Sequence, residues 1–162
     1  MELNAWTHTE AVLAEYGEAV KEQYKESLRA NKHPTTRNTL AGTAASEVVV
    51  EADGFEVVLR LQDYWKWVEN DTRPHWPPRA PIDEWIQIKP VVPRPMANGK
   101  LPTPAQLSFL IRRKIAMKGT KGTHDFEDAV TVLEPTYLER ISDAMTQDIR
   151  EHVGAYLAAW DR

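Results

Sequence analysis

The chain has 162 residues, no cysteine and a formal net charge of −4. That length suits one domain with a real core, and the missing thiols exclude a disulfide scaffold and thiolate metal sites. No apolar run approaches the ~18 residues of a membrane span, and the opening Met-Glu-Leu-Asn has no signal-peptide character. The expectation is a soluble protein made in a reducing cytosol.

The first predicted element is a helix over about Thr9–Asn31. Thr7 and Glu10 have the spacing of a capping box, and Leu13, Tyr16, Val20, Tyr24 and Leu28 recur at threes and fours on one face. Pro34 stops the helix, and Thr35–Ala45 reads as a loop or a weak edge strand. A hairpin follows over residues 46–62. Asp53-Gly54 is a favoured two-residue turn, and closing there sets Ala52 against Phe55, Val50 against Val57, Val48 against Leu59 and Ser46 against Leu61. The opposite face then pairs Glu51 with Glu56, Val49 with Val58 and Glu47 with Arg60. A lone hairpin is marginal in water, so a third strand is expected from Thr39–Thr43, from Val130–Leu133 or from a neighbouring subunit.

Asp63–Asn70 (DYWKWVEN) predicts one or two helical turns. Nine of the eleven prolines then fall between Pro74 and Pro104, with Trp76 and Trp85 among them, so about 71–104 is a Pro/Trp-rich loop within a single domain of residues 1–162. Only Pro81–Lys89 can form a brief helix there. Thr103, Pro104 and Gln106 spell a capped helix start, Gly119 ends that helix, and Leu107, Leu110, Ile111 and Ile115 make its core face. Phe109 points the other way between Arg112 and Arg113, as an interface anchor does. A last helix is predicted over about Pro135–Trp160, roughly 40 Å long. Its apolar stripe is Leu138, Ile141, Met145, Ile149, Val153, Tyr156 and Trp160, at a spacing near 3.7 residues.

Charge is segregated along this order. From Ile86 to His124 there is no acid, yet there are eight cations: Lys89, Arg94, Lys100, Arg112, Arg113, Lys114, Lys118 and Lys121. Such a stripe is either a solvated helix face or a surface for an acidic partner. Basic residues with aromatics also permit nucleic-acid contact along residues 89–121, although the spacing fits no named module.

Chemistry-bearing motifs are absent. The five histidines show no i, i+4 pair. His124 with Asp125, Glu127 and Asp128 reads as acids at a helix start, favoured by the dipole. Lys118–Thr123 (KGTKGT) lacks phosphate-loop spacing and follows a helix where a strand is needed. No catalytic residue, cofactor site or metal site is expected, and the chain is not expected to be an enzyme.

Two blocks stand out together. DYWKWVEN ends in Val68-Glu69, and after the W-I helix Ile82–Lys89 (IDEWIQIK) comes Leu107–Val130 (LSFLIRRKIAMKGTKGTHDFEDAV). In order and pattern over roughly Ser46–Val130 the chain resembles the head–tail joining and tail-completion proteins of long-tailed double-stranded DNA bacteriophages. It departs from them at Asn70-Asp71, where the family often has a glycine, and in the proline loop Val91–Pro104. The resemblance implies an α+β fold, a small antiparallel sheet packed by long N- and C-terminal helices. It implies a structural virion protein whose copies form a ring homo-oligomer at the neck or the top of the tail. Its neighbours would be portal, adaptor or tail-tube proteins, with phage DNA passing through the channel and no membrane. A tail-tube terminator has much the same shape, and a DNA-contacting protein is the other alternative. The subunit interface is expected to use Phe109, Arg112, Arg113, Lys118, Lys121, Trp76 and Trp85. The cations would meet acids next door such as Glu15, Glu22 or Asp148.

Overall fold

Helix α1 (Thr7–Ala30) opens the computed structural model, which describes residues 6–31, 33, 39–51, 54–88, 91–97 and 99–160. Thr9, Leu13, Gly17, Val20, Tyr24 and Leu28 are its buried residues, which is the predicted stripe with Tyr16 half-buried beside it. The expected capping box does not form. The N-cap is Trp6, and no side chain within the helix satisfies its first N–H groups. Residues 34–38, which include the predicted stop, lie outside the described residues; beyond them a short helix α2 (Leu40–Thr43) replaces the expected loop or strand and buries Leu40 and Ala41.

Strands β1 (Ala45–Glu51) and β2 (Gly54–Arg60) pair antiparallel. The register differs from the predicted one by two residues: Val50 pairs with Phe55, Val48 with Val57, Ser46 with Leu59, and Gly54 is a strand residue opposite Glu51. A two-residue shift keeps every side chain on its predicted face, so alternation cannot distinguish the two registers. Asp53 lies outside the described residues. Val57 and Ser46 rest directly under Gly17 of α1. Among the described residues the sheet has two strands, because Thr39–Thr43 and Val130–Leu133 are both taken up largely by helix.

Helix α3 (Trp65–Glu69) gives the single turn expected of DYWKWVEN. Helices α4 (Arg79–Ile88) and α5 (Pro104–Lys118) lie on either side of the remaining proline segment. At α5 the capping box forms as read, with the Thr103 hydroxyl accepting from the Gln106 N–H. Helix α6 runs from Asp125 to Trp160 and passes through Pro135, so it begins ten residues earlier than predicted. An internal proline removes one backbone bond and costs about 3 kcal/mol. Here Pro135 sits on the exposed side while Ala129, Val130, Leu133 and Tyr137 on either side of it are buried or half-buried.

α1 and α6 run antiparallel: Thr9 meets Asp148, Glu15 pairs with Arg140, and Asn31 meets Asp125. Their shared core joins Val20, Tyr24, Leu28, Leu40, Ala41 and Ala129 with Leu59, Trp65 and Phe126 packed around it. The fold is therefore α+β, with long first and last helices over a small antiparallel sheet.

Candidate interaction site

The two sequence blocks that carry the resemblance are clasped together in space. The Glu69 carboxylate, buried at the end of α3, accepts from the Phe126 N–H at 3.0 Å and the Glu127 N–H at 2.9 Å. It thereby caps α6, where an anion is favoured by both the free N–H groups and the helix dipole. Backbone bonds follow from Thr123 N–H to the Val68 carbonyl and from His124 N–H to the Glu69 carbonyl. The Asp71 carboxylate accepts from Gly122 N–H at 2.7 Å, and Thr72 and Thr120 form a bridge in both backbone and side chain.

Both glycines of the KGTKGT run are required by this clasp. A Cβ on Gly119, which has φ +71°, would lie 1.9 Å from the Thr72 carbonyl oxygen, and one on Gly122 would lie 2.2 Å from that of Glu69. The turn is thus a close backbone packing site. His124 supplies the positive φ of 54° that turns the chain into α6, and its ring faces Glu127 at 3.3 Å.

The far end of α1 is closed in the same way. Asp148 of α6, 1 % exposed, accepts from His8 N–H at 3.1 Å, Thr9 N–H at 2.8 Å and the Thr9 hydroxyl at 2.6 Å. Burial pushes its carboxyl up, but the bonds from Thr9 and His8 together outweigh that and hold it below the ordinary carboxylate value. His8, Asp148 and Glu151 place ligand atoms within 4.8 Å of one another. Both Asp148 oxygens, however, are already committed to N–H and O–H donors, so the group is a helix cap. The same burial corrects the expectation for Asp148 as an acid offered to a neighbour. Glu15 pairs with Arg140 and Glu22 with Lys25 within the chain.

Beyond the clasp, α4 and α5 form an arm. They pack on each other and on no other helix or strand to a comparable extent. Between Asn70 and His124 the buried described residues are only Pro77, Ser108 and Gly122. Asp83 of α4 is held below the ordinary carboxylate value by the Ser108 hydroxyl first and by Arg79 next, against a smaller upward push from burial. Of the predicted interface residues, three come together. Trp76 meets Phe109 edge-on with centroids 5.9 Å apart, and the Arg112 guanidinium lies 5.0 Å over the Trp76 ring while its Nε donates to the Pro77 carbonyl. Arg112 is thereby spent inside the arm, contrary to its expected role toward a neighbour.

Arg113, Lys118 and Lys121 are exposed, as is Trp85 on α4. Lys89 lies outside the described residues. The expected core face of α5 is also altered: Leu107, Ile111 and Ile115 turn inward with Ser108, while Leu110 is exposed beside Phe109 and Met117. Met96, Ala105, Gln106, Phe109 and Leu110 line a shallow apolar groove of about 300 Å³.

The largest departure is on α6. Its inward line toward α1 is Ala129, Leu133, Tyr137, Ala144, Asp148 and His152. Apart from Ile141, the predicted apolar stripe faces out: Leu138, Met145, Ile149, Val153, Tyr156 and Trp160 are all exposed, Trp160 by 76 %. A small-residue and aspartate line did the packing where apolar size was expected to do it, and composition alone carries no sign of that choice.

No helix among the described residues is long and apolar enough to cross a membrane. No protein-family model, curated protein or solved structure matches the chain.

Proposed function

We propose that this chain is a structural protein of a long-tailed double-stranded DNA bacteriophage, forming a ring at the head–tail junction that joins the portal side of the capsid to the tail. One observation carries the reading best. The α4–α5 arm has exposed apolar and aromatic side chains and almost no interior of its own, while α6 exposes a second apolar stripe on the same molecule. Exposed apolar surface on this scale marks a contact with another chain. Two such surfaces on different elements suit a heterologous contact that repeats around a closed ring. The resemblance over Ser46–Val130 supports the placement in the virion, since its two blocks meet in the clasp that sets the arm on the body. Phage DNA passes through the ring, and portal, adaptor or tail-tube proteins stack on its faces.

Immunogold electron microscopy of intact and disrupted particles tests this, with an antibody shown to bind the native chain. Label at the junction of head and tail is expected. Label confined to the tail tube or to the capsid shell, or no label on either preparation, overturns it.

A further inference from the structure

We infer that the dock for the α4–α5 arm is the outward stripe of α6 on a second copy of this chain, a proposal that rests on the reading of the chain as a ring subunit. The argument begins with periodicity. Leu138, Ser142, Met145, Ile149, Val153, Tyr156 and Trp160 follow one another at 4, 3, 4, 4, 3 and 4 residues. That mean of about 3.7 keeps a line on one side of a nearly straight helix. At roughly 100 Å² apiece, the six large side chains offer roughly 600 Å² per chain, near the ~800 Å² a side of a standard interface. The stripe is too large to be a scatter of single exposed residues.

Charge identifies the occupant. Beside the stripe, one turn apart, stand Glu139 and Asp143, both exposed and with no ion-pair partner among the described residues; Arg150 follows only at the far end of that line. On the arm, Phe109, Leu110 and Met117 are exposed around Arg113, with Lys114 alongside. Neither Arg113 nor Lys114 has an ion-pair partner among the described residues. The two surfaces are thus apolar strips of similar length, one edged by free cations and the other by free acids. α5 spans roughly 22 Å, enough to cover α6 from about Leu138 to Val153. A two-fold pairing of α6 with α6 would instead leave the cations of the arm unmatched.

The absence of cysteine makes the test clean. A chain carrying Leu110→Cys or Met117→Cys is mixed with one carrying Met145→Cys under mild oxidation. Mixed arm-to-α6 cross-links are expected to dominate. Cross-links chiefly between two Met145→Cys copies, or none at all, overturn the proposal. A charge exchange gives the second readout. Arg113→Glu with Lys114→Glu, and separately Glu139→Lys with Asp143→Lys, should each weaken self-association by roughly tenfold or more. Mixing the two variants should restore it. All four positions are exposed, so unchanged circular dichroism and melting confirm that each variant is folded. No weakening, or weakening without rescue, contradicts the dock. Junction label in particles without arm-to-α6 cross-links rejects the dock alone, and cross-links without junction label reject the virion placement alone.

Discussion

Gly119 and Gly122 are the residues on which the clasp most visibly depends. Each lies where a Cβ would overlap a carbonyl oxygen of the Glu69–Thr72 segment, and Gly119 also has a left-handed φ. Gly119→Ala and Gly122→Ala should each cost about 3 kcal/mol or more in urea unfolding, because backbone cannot give way as a flexible side chain does. A loss under ~0.5 kcal/mol would mean that the two segments do not approach so closely. Asp148 makes a prediction of the opposite kind, in pH. Its folded carboxyl lies below its ordinary value, so the stability it contributes is fully present above the ordinary carboxylate range. That stability is lost as pH falls through the lowered folded value. Asp148→Ala should therefore be destabilised at neutral pH, by about 2 kcal/mol for a buried cap with three donors. The gap to the unmodified chain should narrow in acid; an equal gap at all pH values would contradict the assignment. Neither Glu69 nor Asp148 was legible as a cap. Local cap patterns look three residues ahead, and these carboxylates serve N–H groups 57 and 139 residues away.

At the scale of elements, periodicity and turn chemistry carried α1, α5 and the hairpin's two faces, because each depends on neighbours within one turn or one strand. What they could not carry was the choice between equivalent partners. The hairpin register moved by two because both registers bury the same residues. Helix α6 turned its small line inward because α1 approaches there, which no feature of α6 itself announces. The eight residues Val153–Trp160 are all exposed and run past the Trp6–His152 contact. A chain ending at His152 should thus keep its melting temperature within ~3 °C, the scale of a change well under 1 kcal/mol. A drop beyond ~10 °C would show that the tip is covered within the monomer.

Across the whole molecule, sequence order and charge turned out to map onto space. The acid-free window from Ile86 to His124 is the arm and its return to the clasp, leaving twelve cations against 24 acids on the rest of the chain. That segregation was readable directly; the lack of an interior under the arm was not, since Leu107, Ile111 and Ile115 read as ordinary core positions. A body and an arm of opposite charge should associate less as salt rises, because exposed ion pairs are screened beyond roughly 10 Å at 0.1 M. Apolar burial should leave part of the affinity intact. Sedimentation over a salt series reads this, and association that strengthens with salt would point to the apolar surfaces alone. The most direct measurement of the central claim is native mass spectrometry of the purified chain. A heterologous contact that closes predicts one discrete oligomer larger than a dimer, dispersed to monomer when Arg113 and Lys114 are both changed to Glu. A monomer at every concentration, or a dimer as the limiting species, would contradict it.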